Sequence, residues 1–224
     1  MRADLSTWSF LAWVLLLMPV MGVLSYYRVK SGKPLSPKRR RFVVTMVVEL
    51  LLLGLALNAT PPGLVLFPKV FPDGTALLYG AVVLGAFLVG LSRGVKRIPA
   101  ERREKARLRM PENPKEFRLW AVIPLLAGVC EETAYRGVLY RLLLNAWHSV
   151  ALAILVAVIA FAAAHAIQGW RGALAVGILG GIFHAIVLIT GTLYVAILVH
   201  VVYDFVLGYL LMRSLHSEPT AAPA

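Results

Sequence analysis

Long runs of apolar residues constrain this chain more than any other feature of its sequence. Hydrophobic residues make up 59% of its 224 residues, whereas only 15% are charged. The apolar residues lie in continuous stretches rather than at amphipathic spacing, and a stretch of about 18 or more residues is typical of a transmembrane helix. The sequence therefore predicts an all-α protein, a polytopic bundle of transmembrane helices.

Seven apolar stretches predict about seven membrane spans. They lie at residues 8–27, 42–58, 75–91, 119–147, 150–166, 173–190 and 193–212. The fourth stretch is long and interrupted by polar residues, so it is either one bent helix or a re-entrant pair. We expect a three-span region over residues 1–118, a membrane core over 119–212 and a polar tail over 213–224.

The positive charges lie between the apolar stretches. Segments 28–41 and 93–118 hold seven and ten of the 23 Lys and Arg residues. Cationic loops stay on the cytoplasmic side, where they meet anionic lipid headgroups. This distribution predicts that the N-terminus lies outside and the C-terminus inside. It also indicates that the net charge of +12 serves contact with membrane lipid and not with nucleic acid.

Several charged or titratable side chains fall inside the predicted spans, where a charge costs about 2.5–3.5 kcal/mol. They are Glu131, Glu132, Arg136, His165, His200 and Asp204. Such residues face a bundle interior or a wet cavity and are functional by default. Glu132 and Arg136 are four residues apart and predict an ion pair. Glu131 points about 100° away from Glu132 on a helix, which leaves it free for another task.

Residue spacing brings the remaining polar groups toward one cavity. Phe161 and His165 share a helix face, and His200 and Asp204 repeat that spacing with a carboxylate. Together with Glu131, these side chains suit hydrolysis, because a buried carboxylate can act as a general base and an imidazole can stabilise an oxyanion. The same residue types are also zinc ligands, so the sequence leaves open a site without metal and a site with zinc.

Three short motifs carry these residues in a fixed order. EETAYRG at 131–137 resembles the EExxxR motif of the CAAX protease and bacteriocin-processing family. FAAAH at 161–165 resembles the FxxxH motif of that family, and HVVYD at 200–204 resembles its HxxxN/D motif. The ordered triple on successive apolar segments is specific. The resemblance covers roughly residues 119–212, and the first three spans carry no mark of the family.

The resemblance implies an intramembrane endopeptidase of the type II CAAX prenyl protease type. Its catalytic residues would be Glu131, His165, His200 and Asp204, with Glu132, Arg136 and Phe161 in supporting roles. Glu131 would activate water without a catalytic metal; if a metal is present, the four catalytic residues would be its ligands. The eukaryotic members carry Asn where this chain has Asp204, which leaves the role of Asp204 open.

The small size of the chain favours a protein of the bacterial cytoplasmic membrane. Its substrate would then be a leader peptide or a membrane-associated protein rather than a prenylated tail. Two alternatives remain at this stage. One is a bacteriocin-immunity or scaffold protein of the same family without turnover. The other is a proton-coupled transporter, since intramembrane carboxylates also form proton relays, although no inverted repeat is apparent. Glu49, in the second span, has no obvious partner in the sequence.

Overall fold

The computed structural model describes residues 4–95, 97–98, 103 and 106–216, and over these residues the regular structure is helical. Up to Trp120, the described residues form four helices of seven residues or more. They are α1 (Leu5–Lys30, with a π-helical stretch at Trp13–Leu17), α2 (Lys38–Asn58), α3 (Gly74–Val95) and α4 (Pro114–Trp120). The side chain of Asn113 caps α4 by accepting hydrogen bonds from two backbone N–H groups of its first turn.

The second half contributes α5 to α8. Helix α5 has three parts, an α-helix at Ile123–Glu131, a π-helix at Glu132–Leu139 and an α-helix at Tyr140–Trp147. Helix α6 (Val150–Ala164) is followed by a 3₁₀ turn at Ala166–Gln168. Helices α7 (Trp170–Thr190) and α8 (Leu193–His216) complete the bundle. Gly191 ends α7 in the left-handed conformation, with φ of 66°, where a side chain would be strained.

Five helices are long and apolar enough to cross a membrane, namely α1, α2, α3, α7 and α8. The prediction of an all-helical integral membrane protein is therefore confirmed. The count of seven spans and the orientation stay predictions, because α6 has only 15 residues and α5 carries charges in its middle. Several helix ends lie a few residues from their predicted positions, and two of the changes concern the site. The fourth stretch divides into α4 and α5, with Pro124 in the first turn of α5, and the fifth ends at Ala164, just before His165.

Helix α5 lies at the centre of the bundle. It packs against α2, α6 and α8, and its π-helical part also contacts α7. All eight residues of that part are buried. Tyr135, Val138 and Leu139 belong to a core cluster that also includes Leu52 of α2 and Ala157 of α6. Glu131, Glu132 and Arg136 of α5 therefore face the protein interior, whereas the outer helices expose apolar side chains that can contact lipid.

Glycine at position 22 allows α1 to approach the end of α6. A Cβ atom there would lie 2.6 Å from the carbonyl oxygen of Ala163 and would also meet that of Ala164. We expect Gly22→Ala to lower the free energy of unfolding by about 1–3 kcal/mol, because the two backbones must separate. Gly54→Ala in α2 is the matched control, since its Cβ would enter open space. Equal thermal stability of the two variants in detergent would contradict the close approach.

Candidate active site

Glu131 lies between two imidazole rings. Its Oε1 atom is 3.7 Å from Nε2 of His165, and its Oε2 atom is 3.7 Å from Nε2 of His200. The residue is 5% exposed. Both distances exceed that of a direct hydrogen bond, so each nitrogen faces the carboxylate across a gap that a bridging molecule can close. The three groups come from α5, from the end of α6 and from α8.

Glu132 binds the opposite side of His200. Its Oε1 atom accepts a hydrogen bond of 2.7 Å from Nδ1 of His200 and another of 3.0 Å from Nη1 of Arg136. The side chains of Glu132 and Arg136 are fully buried. The ion pair expected from their spacing is thus present. Because Glu132 accepts from Nδ1, the hydrogen bond orients the ring and directs Nε2 toward Glu131.

Arg136 is held by carbonyl and aromatic groups as well as by Glu132. Its Nη2 atom donates to the carbonyl oxygen of Gly180 at 3.3 Å. The guanidinium carbon lies 4.4 Å from the ring centre of Phe161 and 5.4 Å from that of Phe183, distances at which cation–π attraction operates. Phe161 therefore supports the site by contacting Arg136. The sequence did not indicate Phe183, because none of the three motifs includes a residue of α7.

His165 lies just past the end of α6. Its Nδ1 atom is 2.9 Å from the carbonyl oxygen of Phe161, and because a carbonyl only accepts, Nδ1 carries the proton and Nε2 presents its lone pair to Glu131. The ring also packs on that of Phe161, with centroids 4.7 Å apart. One quarter of the His165 side chain is exposed, so the imidazole lies at the boundary between the protein interior and its surface.

His200 and Asp204 form the outer part of the same group. Nε2 of His200 is 3.5 Å from Oδ2 of Asp204, and the imidazole stacks on Phe183 with centroids 4.9 Å apart. Asp204 is the most open of these residues, with 36% of its side chain exposed. It lines a cavity of about 290 Å³ that is also bordered by Arg109 and Gln168. The site therefore opens to the outside of the bundle at Asp204.

The structure brings the four candidate catalytic residues together, but it changes one expectation. Glu131 and Glu132 were expected to serve separate groups, since they point in different directions on a helix. Instead, both carboxylates flank His200, one facing each ring nitrogen. The π-helix that begins at Glu132 lies at this point. Such segments are rare and frequently occur at functional sites, and no sequence pattern used above could have shown it.

Glu49 of α2 is a further buried carboxylate beside the site. It is 5% exposed, and its Oε2 atom has no hydrogen-bond partner within the described part of the protein. Helix α2 packs against the part of α5 that carries Glu131 and Glu132. Reasoning from the sequence found no partner for Glu49 because its neighbours lie on other helices.

Metal binding was the open alternative for this set of residues. Among the residues that the structure describes, no group of three or more His, Cys, Asp or Glu side chains is arranged to hold a metal ion. The four candidates therefore do not fit a preformed metal centre.

The fold and the site define a helical integral membrane protein with a buried carboxylate between two imidazoles. Residues 113–206, from the cap of α4 to the middle of α8, match the family described as Type II CAAX prenyl endopeptidase Rce1-like. The membrane core that holds the site is thus a domain of the CAAX protease family, as the three motifs predicted. The match covers less than half of the chain. No curated protein and no solved structure matches the chain significantly.

Proposed function

We propose that the protein is an intramembrane endopeptidase that hydrolyses a peptide bond of a membrane-associated protein or a leader peptide. The observation that carries the proposal is the placement of Glu131, whose two carboxylate oxygens each lie 3.7 Å from an imidazole Nε2 atom. Membership of a protease family supports hydrolysis over transport. The family match alone leaves a non-catalytic role open, so the test below separates the two.

Glu131 acts as the general base. It removes a proton from a water molecule, and the hydroxide attacks the carbonyl carbon of the scissile bond. The lone pair of His165 Nε2 accepts the second hydrogen of that water and so orients its oxygen. When the tetrahedral intermediate collapses, the proton held by Glu131 moves to the departing amine nitrogen. The reaction then requires no group from outside the protein except water.

His200 stabilises the oxyanion. Glu132 accepts a hydrogen bond from its Nδ1–H group, and when the ring carries both protons, Nε2 donates to the oxygen that becomes negative. Asp204 holds Nε2 from the open side before the substrate arrives, and the substrate carbonyl takes its place. This assigns Asp204 an orienting role, one that an ionised carboxylate can perform because it needs only to accept a hydrogen bond.

The substrate enters from the cytoplasmic leaflet. With the N-terminus outside and the C-terminus inside, the basic segment 93–118 is cytoplasmic, and Arg109 of that segment borders the same cavity as Asp204. The cationic loops contact anionic lipid headgroups on this side, while the exposed apolar faces of the outer helices contact the acyl chains. The protein then resides in the bacterial cytoplasmic membrane.

The proposal is tested by comparing protein termini in host cells that carry the wild type or Glu131→Gln at matched expression. We expect new termini only with the wild type, because glutamine keeps the shape of the side chain but cannot remove a proton. Glu112→Gln, which changes a carboxylate that is 66% exposed, should give the same termini as the wild type. Identical termini in all three strains, with folded protein in the membrane, would favour the immunity or scaffold function.

A further inference from the structure

Arg109 lies between two cavities at the open end of the site. The first is the cavity of about 290 Å³ that Asp204 also lines. The second has a volume of about 330 Å³ and is bordered by Tyr26, Lys30 and Arg41. Gln168, three residues after His165, borders both cavities. A group bound to Arg109 would therefore lie in the same cavity as Asp204.

The guanidinium of Arg109 has no hydrogen bond or ion pair with any residue that the structure describes. Burial lowers the pKa of Arg109 below its ordinary value, because it disfavours the charged form and no carboxylate offsets it. Its neighbour Arg41 differs, since both Nη atoms of Arg41 donate to backbone oxygens, those of Ser36 and Leu108. Arg41 thus holds the loop, whereas the donors of Arg109 remain available to a ligand.

An anionic ligand satisfies this arrangement best. A partly buried cation without a partner is costly, and a planar guanidinium binds a carboxylate through two parallel hydrogen bonds. Asp204 repels a second carboxylate at its own end of the cavity. An anionic group is therefore directed to the end that Arg109 occupies, which leaves the scissile bond beside Asp204 and His200.

We propose that Arg109 binds a carboxylate of the peptide substrate, either the chain terminus or an acidic side chain near the scissile bond. This inference rests on the proposed protease function and adds a specificity-determining residue to it. A lipid phosphate is less favoured as the ligand, because a headgroup at Arg109 would fill the cavity that leads to Asp204. The position of this carboxylate in the peptide then determines which peptide bond lies beside the catalytic residues.

The test uses full-length protein in phosphatidylcholine nanodiscs and synthetic peptides copied from cleavage sites found in cells. Each peptide is made in three forms. The first has a free terminal carboxylate and no acidic side chain, the second has a terminal amide and one acidic side chain, and the third has neither carboxylate. We expect the wild type to cleave at least one carboxylate-bearing form with kcat/KM about ten- to hundredfold above the neutral form. The comparison of the first two forms identifies the source of the carboxylate.

Arg109→Gln should remove this preference, mainly through a higher KM for the peptides that bear a carboxylate. Arg109→Lys should restore part of it, and Arg118→Gln, which removes an exposed charge from the same segment, should keep it in full.

A wild type without preference, or a preference that survives Arg109→Gln, would refute the role of Arg109 while leaving the protease function intact. The assay is repeated in nanodiscs that also contain phosphatidylglycerol. If Arg109→Gln changed only the effect of this anionic lipid on cleavage, the ligand of Arg109 would be a lipid headgroup and the inference would be overturned. No cleavage of any peptide by the wild type would refute the protease function, and this inference with it.

Discussion

Replacing His165 by alanine is expected to lower kcat by about 10²–10⁴-fold while the protein stays folded in the membrane. Nε2 of His165 faces Glu131 at 3.7 Å, so its removal leaves the attacking water without one of its two orienting groups. The side chain lies beyond the end of α6 and is one quarter exposed, so we expect the helix and the fold to persist without it. The measurement is single-turnover cleavage by the purified variant, with its thermal stability determined in the same detergent.

A double-variant cycle with Glu131→Gln separates a shared step from independent effects. Because His165 and Glu131 act on one water molecule, we expect the double variant to be no slower than the slower single variant. Losses that multiply would show that His165 acts outside the water-activation step. His148→Asn is the matched control, since it removes an exposed imidazole from a left-handed position that asparagine tolerates. A kcat near that of the wild type for His165→Ala would show that His165 does not orient the attacking water.

Replacing Arg136 by methionine is expected to lower the free energy of unfolding by about 3–5 kcal/mol. The change keeps an apolar stem but leaves the Glu132 carboxylate, which is fully buried, with His200 as its remaining partner. It also removes the cation that lies over Phe161. The effect is measured by equilibrium unfolding of the purified variant in detergent.

Two further variants show whether the loss comes from an unpaired buried charge. Arg136→Met combined with Glu132→Leu should be less destabilised than Arg136→Met alone, because neither charge is then left without its partner. Glu112→Gln weakens the pair between Lys38 and a carboxylate that is 66% exposed, and it should cost no more than about 1 kcal/mol. If Arg136→Met costs no more than Glu112→Gln, the central ion pair does not stabilise the bundle.

Reasoning from the sequence succeeded where the free energy depends on residues that are close together in the chain. An apolar stretch must lie in lipid or in a core whatever surrounds it, so the helical membrane fold followed from the apolar stretches. The pair of Glu132 and Arg136 was predictable for the same reason, since both residues lie on one helix. The family was predictable because the three motifs keep their order along the chain, and the match at residues 113–206 confirms it.

Tertiary structure decided which groups meet. Glu132 and His200 are 68 residues apart in the chain, and their contact depends on how α8 is rotated against α5, which no local pattern specifies. The same holds for Glu49, whose neighbours come from other helices, and for Phe183, which stacks on His200. The sequence by itself thus determined that the chain lies in a membrane, that it forms helices and which polar residues lie inside them. The arrangement of both carboxylates around one imidazole arose only from packing, because the side chains that close the site lie on different helices.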